Sequence, residues 1–402
     1  MSTPQTAEKP DADVPTGLSP SSQHETGQQD APTDMTAASE SERTTAGLLP
    51  GQYWTQQADE PDPAGEDDDS ALGDNASSTA SLSSTILQYR EINGRRYHSE
   101  RGNAQYWVSN DEQSNEALDI NHHVLSLMYG GKLFKAPLDQ NMQTVVDIGT
   151  GTGIWAIDFA DEFPNTKVIG TDISPIQPTW VPSNLEFQID DCTQEWTFPE
   201  NSLDYVHMRF LVGSIQDWPA LYKQAYRCLK PGGYIESYEG SPSFGSDDGS
   251  VHEKSAMGQW GRIFLEGGRK LGRPFSILED DIQKRGMKEA GFSNLEEAEI
   301  KVMFLAQPLQ LITVLKARAD SIQQVPIGAW PKDPTLKQAG RFLQAAILQD
   351  VEGTLTFIAN LLGWSEVEIR VFAAHYRREI KSKNIHGYSR QRVVWAQKPL
   401  EN

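Results

Sequence analysis

Apolar positions along the chain fall into two rhythms. Five short runs, T-V-V-D-I (144–148), K-V-I-G-T-D (167–172), L-E-F-Q-I (185–189), L-D-Y-V-H-M (203–208) and Y-I-E-S-Y (234–238), are each five or six residues long and bounded by turn residues. That length and boundary predict buried strands. Between them, 154–162, 218–229 and a stretch near 279–290 have helical spacing, as does 116–134, where Leu118, Val124, Leu125, Met128 and Leu133 recur along one face. E-I-K-V-M-F-L (299–305) predicts another strand. Residues 309–380 predict helices broken at Gly353 and Gly363, and R-V-V-W-A (392–396) predicts a last strand. Strands alternating with helices predict an α/β fold, a parallel doubly wound sheet covered on both faces.

Charge separates the first 85 residues from the rest. The 402-residue chain carries a formal −21, of which −14 falls in 1–85, where Lys9 and Arg43 are the only bases, and −7 in 86–402. The first segment is rich in Ser, Thr, Pro, Gln, Asp and Glu, and its only aromatics are Tyr53 and Trp54. Such a composition predicts a disordered acidic tail that adds nothing to the core. The domain organisation expected is therefore a tail, 1–85, and one domain, 86–402. Within the domain the reading places cap helices at 86–140, a core at 141–306, a helical insertion at 307–385 and a closing strand at 390–398. The charge balance argues against direct nucleic-acid binding, which needs clustered Lys and Arg. Two cysteines, Cys192 and Cys228, make no disulfide framework and have no partners at metal spacing, so no metal site is expected. Without a signal peptide or an apolar run approaching 20 residues, the chain reads as neither secreted nor membrane-spanning.

The sharpest motif is D-I-G-T-G-T-G (147–153), at a strand-to-helix junction. Its first glycine permits a tight turn, its second lets a ligand approach the backbone, and its third lets the helix pack closely on the sheet. A dinucleotide loop would carry its third glycine at 154, but Ile154 stands there. The G-x-G-x-G spacing instead favours S-adenosylmethionine, which has no pyrophosphate. Asp172 ends the second strand, where a carboxylate can accept both ribose hydroxyls, and Asp190 and Asp191 follow the third, within reach of an adenine amino group. Asp172 also suits a plain turn or helix-cap role.

With these residues in view the chain resembles the fungal LaeA-like class I methyltransferases. The matching stretches include I-N-G-R-R-Y-H (92–98), L-D-I-N-H-H (118–123), V-V-D-I-G-T-G-T-G-I-W-A-I-D-F-A (145–160) and V-I-G-T-D-I-S-P-I-Q-P (168–178). They continue through W-V-P-S-N-L-E-F-Q-I-D-D (180–191), Y-V-H-M-R (205–209), L-K-P-G-G-Y-I-E (229–236) and I-H-G-Y (385–388). The resemblance implies a Rossmann-like, seven-stranded, mostly parallel sheet with its last strand antiparallel, and S-adenosylmethionine as cofactor. It implies a loop built of Asp147, Gly149, Thr150, Gly151 and Gly153, a ribose site at Asp172 and Ile173, and an adenine site at Asp190 and Asp191. Met208 and Arg209 would close the cleft. The cap departs from the family pattern at Tyr106-Trp107-Val108-Ser109, where relatives often have Tyr-x-x-Pro.

The expected activity is S-adenosylmethionine-dependent, in-line methyl transfer to a small-molecule, peptide or protein acceptor in fungal secondary metabolism. The alternative is a regulator working through velvet-type partners, in the nucleus rather than the cytoplasm. Methyl transfer needs alignment and exclusion of water more than an acid–base group. The candidates for a base are His122, on the cap helix, and Glu239, beside Glu236 at the end of the fifth strand. His386 and Tyr388 are candidate pocket residues, and His207 reads as packing within its strand. Trp260, Phe264, Trp330 and Phe342 fit either an apolar acceptor pocket or plain core.

Overall fold

The computed structural model describes residues 47–57, 89–98, 106–298 and 323–400. The strand expected at 299–305 and the first part of the insertion lie outside the described residues, as do 1–46 and 58–85 of the expected tail. The sheet follows the apolar runs: β3 (Thr144–Ile148), β4 (Lys167–Asp172), β5 (Leu185–Ile189), β6 (Leu203–Arg209) and β7 (Leu229–Gly245). All four pairings among them are parallel, in the order β5-β4-β3-β6-β7. β10 (Tyr388–Gln397) then runs antiparallel between β7 and β8 (Ser293–Ala298). The expected seven strands with a reversed last one are thus present, and β9 (Gln323–Pro326) adds an eighth by pairing with the start of β10. The central strands are nearly uninterrupted Val and Ile because both their faces are covered. Val145, Val146 and Val206 have no exposed surface.

One face carries α2 (Glu112–Met128), α3 (Ile154–Glu162) and α5 (Ala256–Leu271), together with α7 (Pro334–Gln349), α8 (Val351–Leu361) and α9 (Glu366–Lys381). The other carries α4 (Trp218–Cys228) and α6 (Ile282–Ala290). Several of their starts are set by side-chain caps. Asp217 accepts from Ala220 N ahead of Pro219 in α4, and Ser365 with Glu368 forms a capping box on α9.

Four details depart from the sequence reading. Residues 90–97 form a hairpin, β1 (Arg90–Ile92) and β2 (Arg95–Tyr97), instead of a cap helix. Its turn is Asn93-Gly94, both at positive φ (50° and 75°), the strongest short-range hairpin signal. Gly353 does not break a helix. It lies in the first turn of α8, donates to the cap residue Asp350 (3.0 Å), and its carbonyl accepts from Tyr97 Oη (3.0 Å). A Cβ there would sit 2.1 Å from Ser109 Oγ, so the glycine lets the hairpin close on the helix. β7 extends past residue 238 to Gly245, because β10 continues to pair with it through Tyr388↔Gly245. Finally, part of the expected tail is packed. Residues 51–56 form α1 (Gly51–Gln56), and Trp54, 2% exposed, meets the Phe372 ring of α9 at 4.9 Å. Leu49 N donates to Gln259 Oε1 (2.8 Å), whose amide donates back to Gly47 O (2.9 Å).

Candidate functional site

The loop after β3 is built from its glycines outward. Gly149, Gly151 and Gly153 have φ of 68°, 60° and 82°, a region where any Cβ is strained. Their surroundings differ. A Cβ on Gly149 would lie 2.5 Å from Leu211 Cδ2, and one on Gly153 2.3 Å from the Phe187 ring of β5. A Cβ on Gly151 would meet only Leu118 Cδ1, at 3.7 Å, across an open cavity. Beneath the loop Asp147 Oδ2 accepts from Thr150 Oγ1 (2.6 Å), and its Oδ1 accepts from His207 Nδ1 (2.7 Å). The His207 ring lies flat on Trp155 at 3.7 Å, and burial holds its pKa below the usual histidine value. Asp172, at the end of β4, accepts from Gly151 N and Ser174 N, both at 2.9 Å. Burial pushes its carboxyl up to about 6 against the pull of those donors. Each oxygen keeps a second lone pair for a ligand.

The cavity above this loop is lined by Gly149, Thr150, Gly151, Asp172 and Ile173 on one side and Asp190 and Asp191 on another. Arg209, Phe210 and Leu211 come from the end of β6, and Tyr106, Asn110 and Leu118 from the cap. With its open mouth it encloses about 1060 Å³, open solvent included. The cap is tied down around it. Asn110 Nδ2 donates to Ser174 Oγ (2.9 Å), His98 Nε2 to Ile173 O (3.1 Å), and Thr152 Oγ1 to Asp119 Oδ1 (2.7 Å). From the S-P-I-Q-P motif, Gln177 Nε2 donates to Gly151 O (2.7 Å). A bare backbone approach, carboxylates at the ends of two neighbouring strands and an apolar lid suit a nucleoside with a polar tail.

Other expected residues lie elsewhere. Asp147 and Gly153 support the loop without lining the cavity, and Met208, with no exposed surface, belongs to the core beneath it. His122 has both ring nitrogens engaged. Arg209 Nη1 donates to Nδ1 (2.9 Å), and Nε2 therefore carries the proton it donates to Asp158 Oδ2 (2.8 Å). It has no lone pair left to act as a base. Glu239 is fully buried, and its two oxygens accept from Leu211 N and Val212 N, each at 3.0 Å. It holds the loop after β6 from behind and does not face the cavity. Glu236 does the same for another segment, accepting from Lys135 N (2.9 Å) and Ala136 N (2.7 Å). Burial pushes these two carboxyls up to about 8 and about 7. His386 and Tyr388 pair with Asp248 and Asp247 in the loop after β7 instead of lining the cavity. Trp260 and Phe264 are core residues, Trp330 Nε1 donates to Gly387 O, and the Phe342 ring packs on His123 at 4.5 Å.

The sequence reading missed Tyr106, Asn110, Leu118, Ser174 and Phe210 as lining residues. Only their nearness to recognised motifs could have signalled them, since the hairpin brings Asn110 to β4 across a long sequence gap.

The chain is similar to known methyltransferases. A methyltransferase-domain family model matches residues 120–297. The chain is 34% identical to the methyltransferase pytC of Aspergillus terreus, over 81% of this chain and 93% of that one. It is 31% identical to the secondary metabolism regulator LAE1 of Cochliobolus heterostrophus, over 77% and 94% of the two chains. It is 29% identical to the protein-methionine methyltransferase laeA of Emericella nidulans, over 78% and 77%. Among solved structures, Haemonchus contortus phosphoethanolamine N-methyltransferase 2 aligns with a TM-score of 0.38 and 20% identity, over 71% of this chain and 52% of that one.

Proposed function

The chain belongs to the LaeA-like family of S-adenosylmethionine-dependent methyltransferases, and from that membership we propose that the cavity at the ends of β3, β4 and β5 holds the methyl donor. The observation that carries this reading is the convergence of Gly151, open to the cavity, with Asp172, Asp190 and Asp191 on its walls. When bound, the cofactor supplies a methyl group already activated by its sulfonium. In this reading Asp172 takes the ribose hydroxyls, Asp190 and Asp191 face the adenine, and the bare backbone at Gly149 and Gly151 admits the rest. Tyr106, Leu118, Phe210 and Leu211 exclude water from the reacting centre. His122 and Glu239 are spoken for by structural hydrogen bonds, so the catalysis is alignment, with the acceptor presenting its own nucleophile.

The acceptor belongs, in this reading, to secondary metabolism, as the names of the relatives suggest. The regulator-named relatives support a second reading, in which the same domain acts in the nucleus through velvet-type partners. Mass spectrometry of deletion and wild-type extracts separates the two: one missing methylated product favours a dedicated enzyme, and loss of many unrelated metabolites a regulator. The cavity assignment is tested by calorimetry with S-adenosylmethionine. Gly151→Val should lose at least about 100-fold in affinity, or more than 2.7 kcal/mol, while still melting cooperatively. Unchanged affinity would place the cofactor elsewhere.

A further inference from the structure

A second, smaller cavity lies against the first, between α2, α3, the end of β6 and the middle of β7. It encloses about 320 Å³ with its mouth, and His122, Tyr129, Trp155, Glu236 and Tyr238 line it, with Lys132 exposed at its rim. Among the described residues, Arg209 is the one side chain that lines both cavities. Its guanidinium carries five N–H donors. One bonds His122 Nδ1, and no carboxylate of the described residues lies within ion-pair distance.

The acids around it are committed elsewhere. Asp147 holds Thr150 and His207, Asp119 takes Thr152, and Asp158 takes His122. Glu236 turns Oε2 to the Lys135 and Ala136 amides. A desolvated cation without a counter-ion is costly, and burial does lower the Arg209 pKa. Meanwhile Asp158 fixes the tautomer of His122, and His122 fixes one edge of the guanidinium. The remaining donors are held ready at the seam between the cavities.

We propose that Arg209, positioned by His122 and Asp158, is a carboxylate-binding residue serving the seam between the two cavities. The inference rests on the cofactor placement proposed above. A planar fork of donors matches a carboxylate bidentately. The carboxylate has two available sources: the amino-acid end of the cofactor, or an acidic methyl acceptor seated in the aromatic-walled second cavity.

Calorimetry on the full chain distinguishes them. Wild type and Arg209→Met are titrated with S-adenosylhomocysteine and with 5′-methylthioadenosine, which lacks the amino-acid end. With S-adenosylhomocysteine saturating, they are then titrated with benzoate and with its neutral counterpart benzamide. The expected result is a loss of about 10- to 100-fold confined to carboxylate-bearing probes, with 5′-methylthioadenosine unchanged. A loss on S-adenosylhomocysteine assigns the carboxylate to the cofactor, and a loss on benzoate but not benzamide assigns it to the acceptor. Arg209→Lys should lose less than Arg209→Met. His122→Ala should weaken the same probes and His122→Gln should restore them. Equal affinities of wild type and Arg209→Met for every probe would overturn the proposal. So would an equal loss on both nucleosides, which would make Arg209 a support of the fold. A wild type that binds neither nucleoside refutes the cofactor placement itself, and with it the inference.

Discussion

Asp172, Asp190 and Asp191 end β4 and β5, while Glu236 and Glu239 lie on β7, at the other half of the same sheet edge. In sequence these acids look equivalent, each beside a strand end. In the fold they divide. The aspartates line the cavity, with Asp191 also accepting from Thr193. Glu239 is sealed beneath a loop with both oxygens spent on the Leu211 and Val212 amides, and Glu236 commits Oε2 to the Lys135 and Ala136 amides. An acid at a functional edge is thus defined less by its position than by what has already taken its lone pairs. Asp172 sits at the boundary, since it both ties Gly151 and Ser174 and faces the cavity.

The division can be broken by mutation. The largest effect should come from Glu239→Ala, which strands two buried amides and leaves a void. A loss of about 3–5 kcal/mol in unfolding free energy is expected by chemical denaturation. The preference between the cofactor and an analogue lacking both ribose hydroxyls should not change, and a changed preference would move Glu239 into the binding site. Next comes Asp172→Ala. Removing two charge-assisted bonds to ribose should cost about 2–4 kcal/mol in cofactor affinity, and much less for the same analogue. Releasing the Gly151 and Ser174 amides should add about 1–3 kcal/mol of lost stability. Equal affinity losses on both ligands would make Asp172 a turn residue only.

A smaller effect is the pH dependence of stability. The Glu239 carboxyl rises from 4.5 to about 8 on folding, so its contribution is full below pH 4.5 and is lost as pH climbs toward 8. Unfolding free energy should therefore fall over that window, by at most about 1.4 kcal/mol per pH unit from this group. Glu239→Gln should flatten the slope, and an unchanged slope would mean that the carboxylate is ionised in the fold. Least of all, Asp190→Ala should cost about 0.5–1.5 kcal/mol in affinity, alike for the cofactor and its deoxy analogue, because an adenine contact ignores the ribose.

What could be read beforehand was local. β3, β4, β5 and α3 stand where their apolar runs and bounding glycines put them, because buried parallel strands have little choice of composition. The glycine loop was legible for the same reason, since three positive-φ positions admit few alternatives. His122 was misread because its partners, Asp158 and Arg209, are 36 and 87 residues away. Glu239 was misread because Gly240 and Pro242 look like the end of a strand, yet antiparallel pairing with β10 carries β7 past them. Trp54 was lost in an average: a tail polar over 85 residues still contains one short apolar anchor.

That anchor has a consequence for how the chain is made. Leu49 bonds to Gln259, 210 residues downstream, and Trp54 packs on a helix later still. At roughly 5–20 residues per second, the ribosome finishes the Gln259 side of the contact about 10–40 s after the Leu49 side. For that interval the indole has no seat. Docking it closes a very long loop, so it belongs among the last events of folding rather than the first. A nascent chain stalled before α9 should therefore be cut by protease at Trp54, and the finished chain should not.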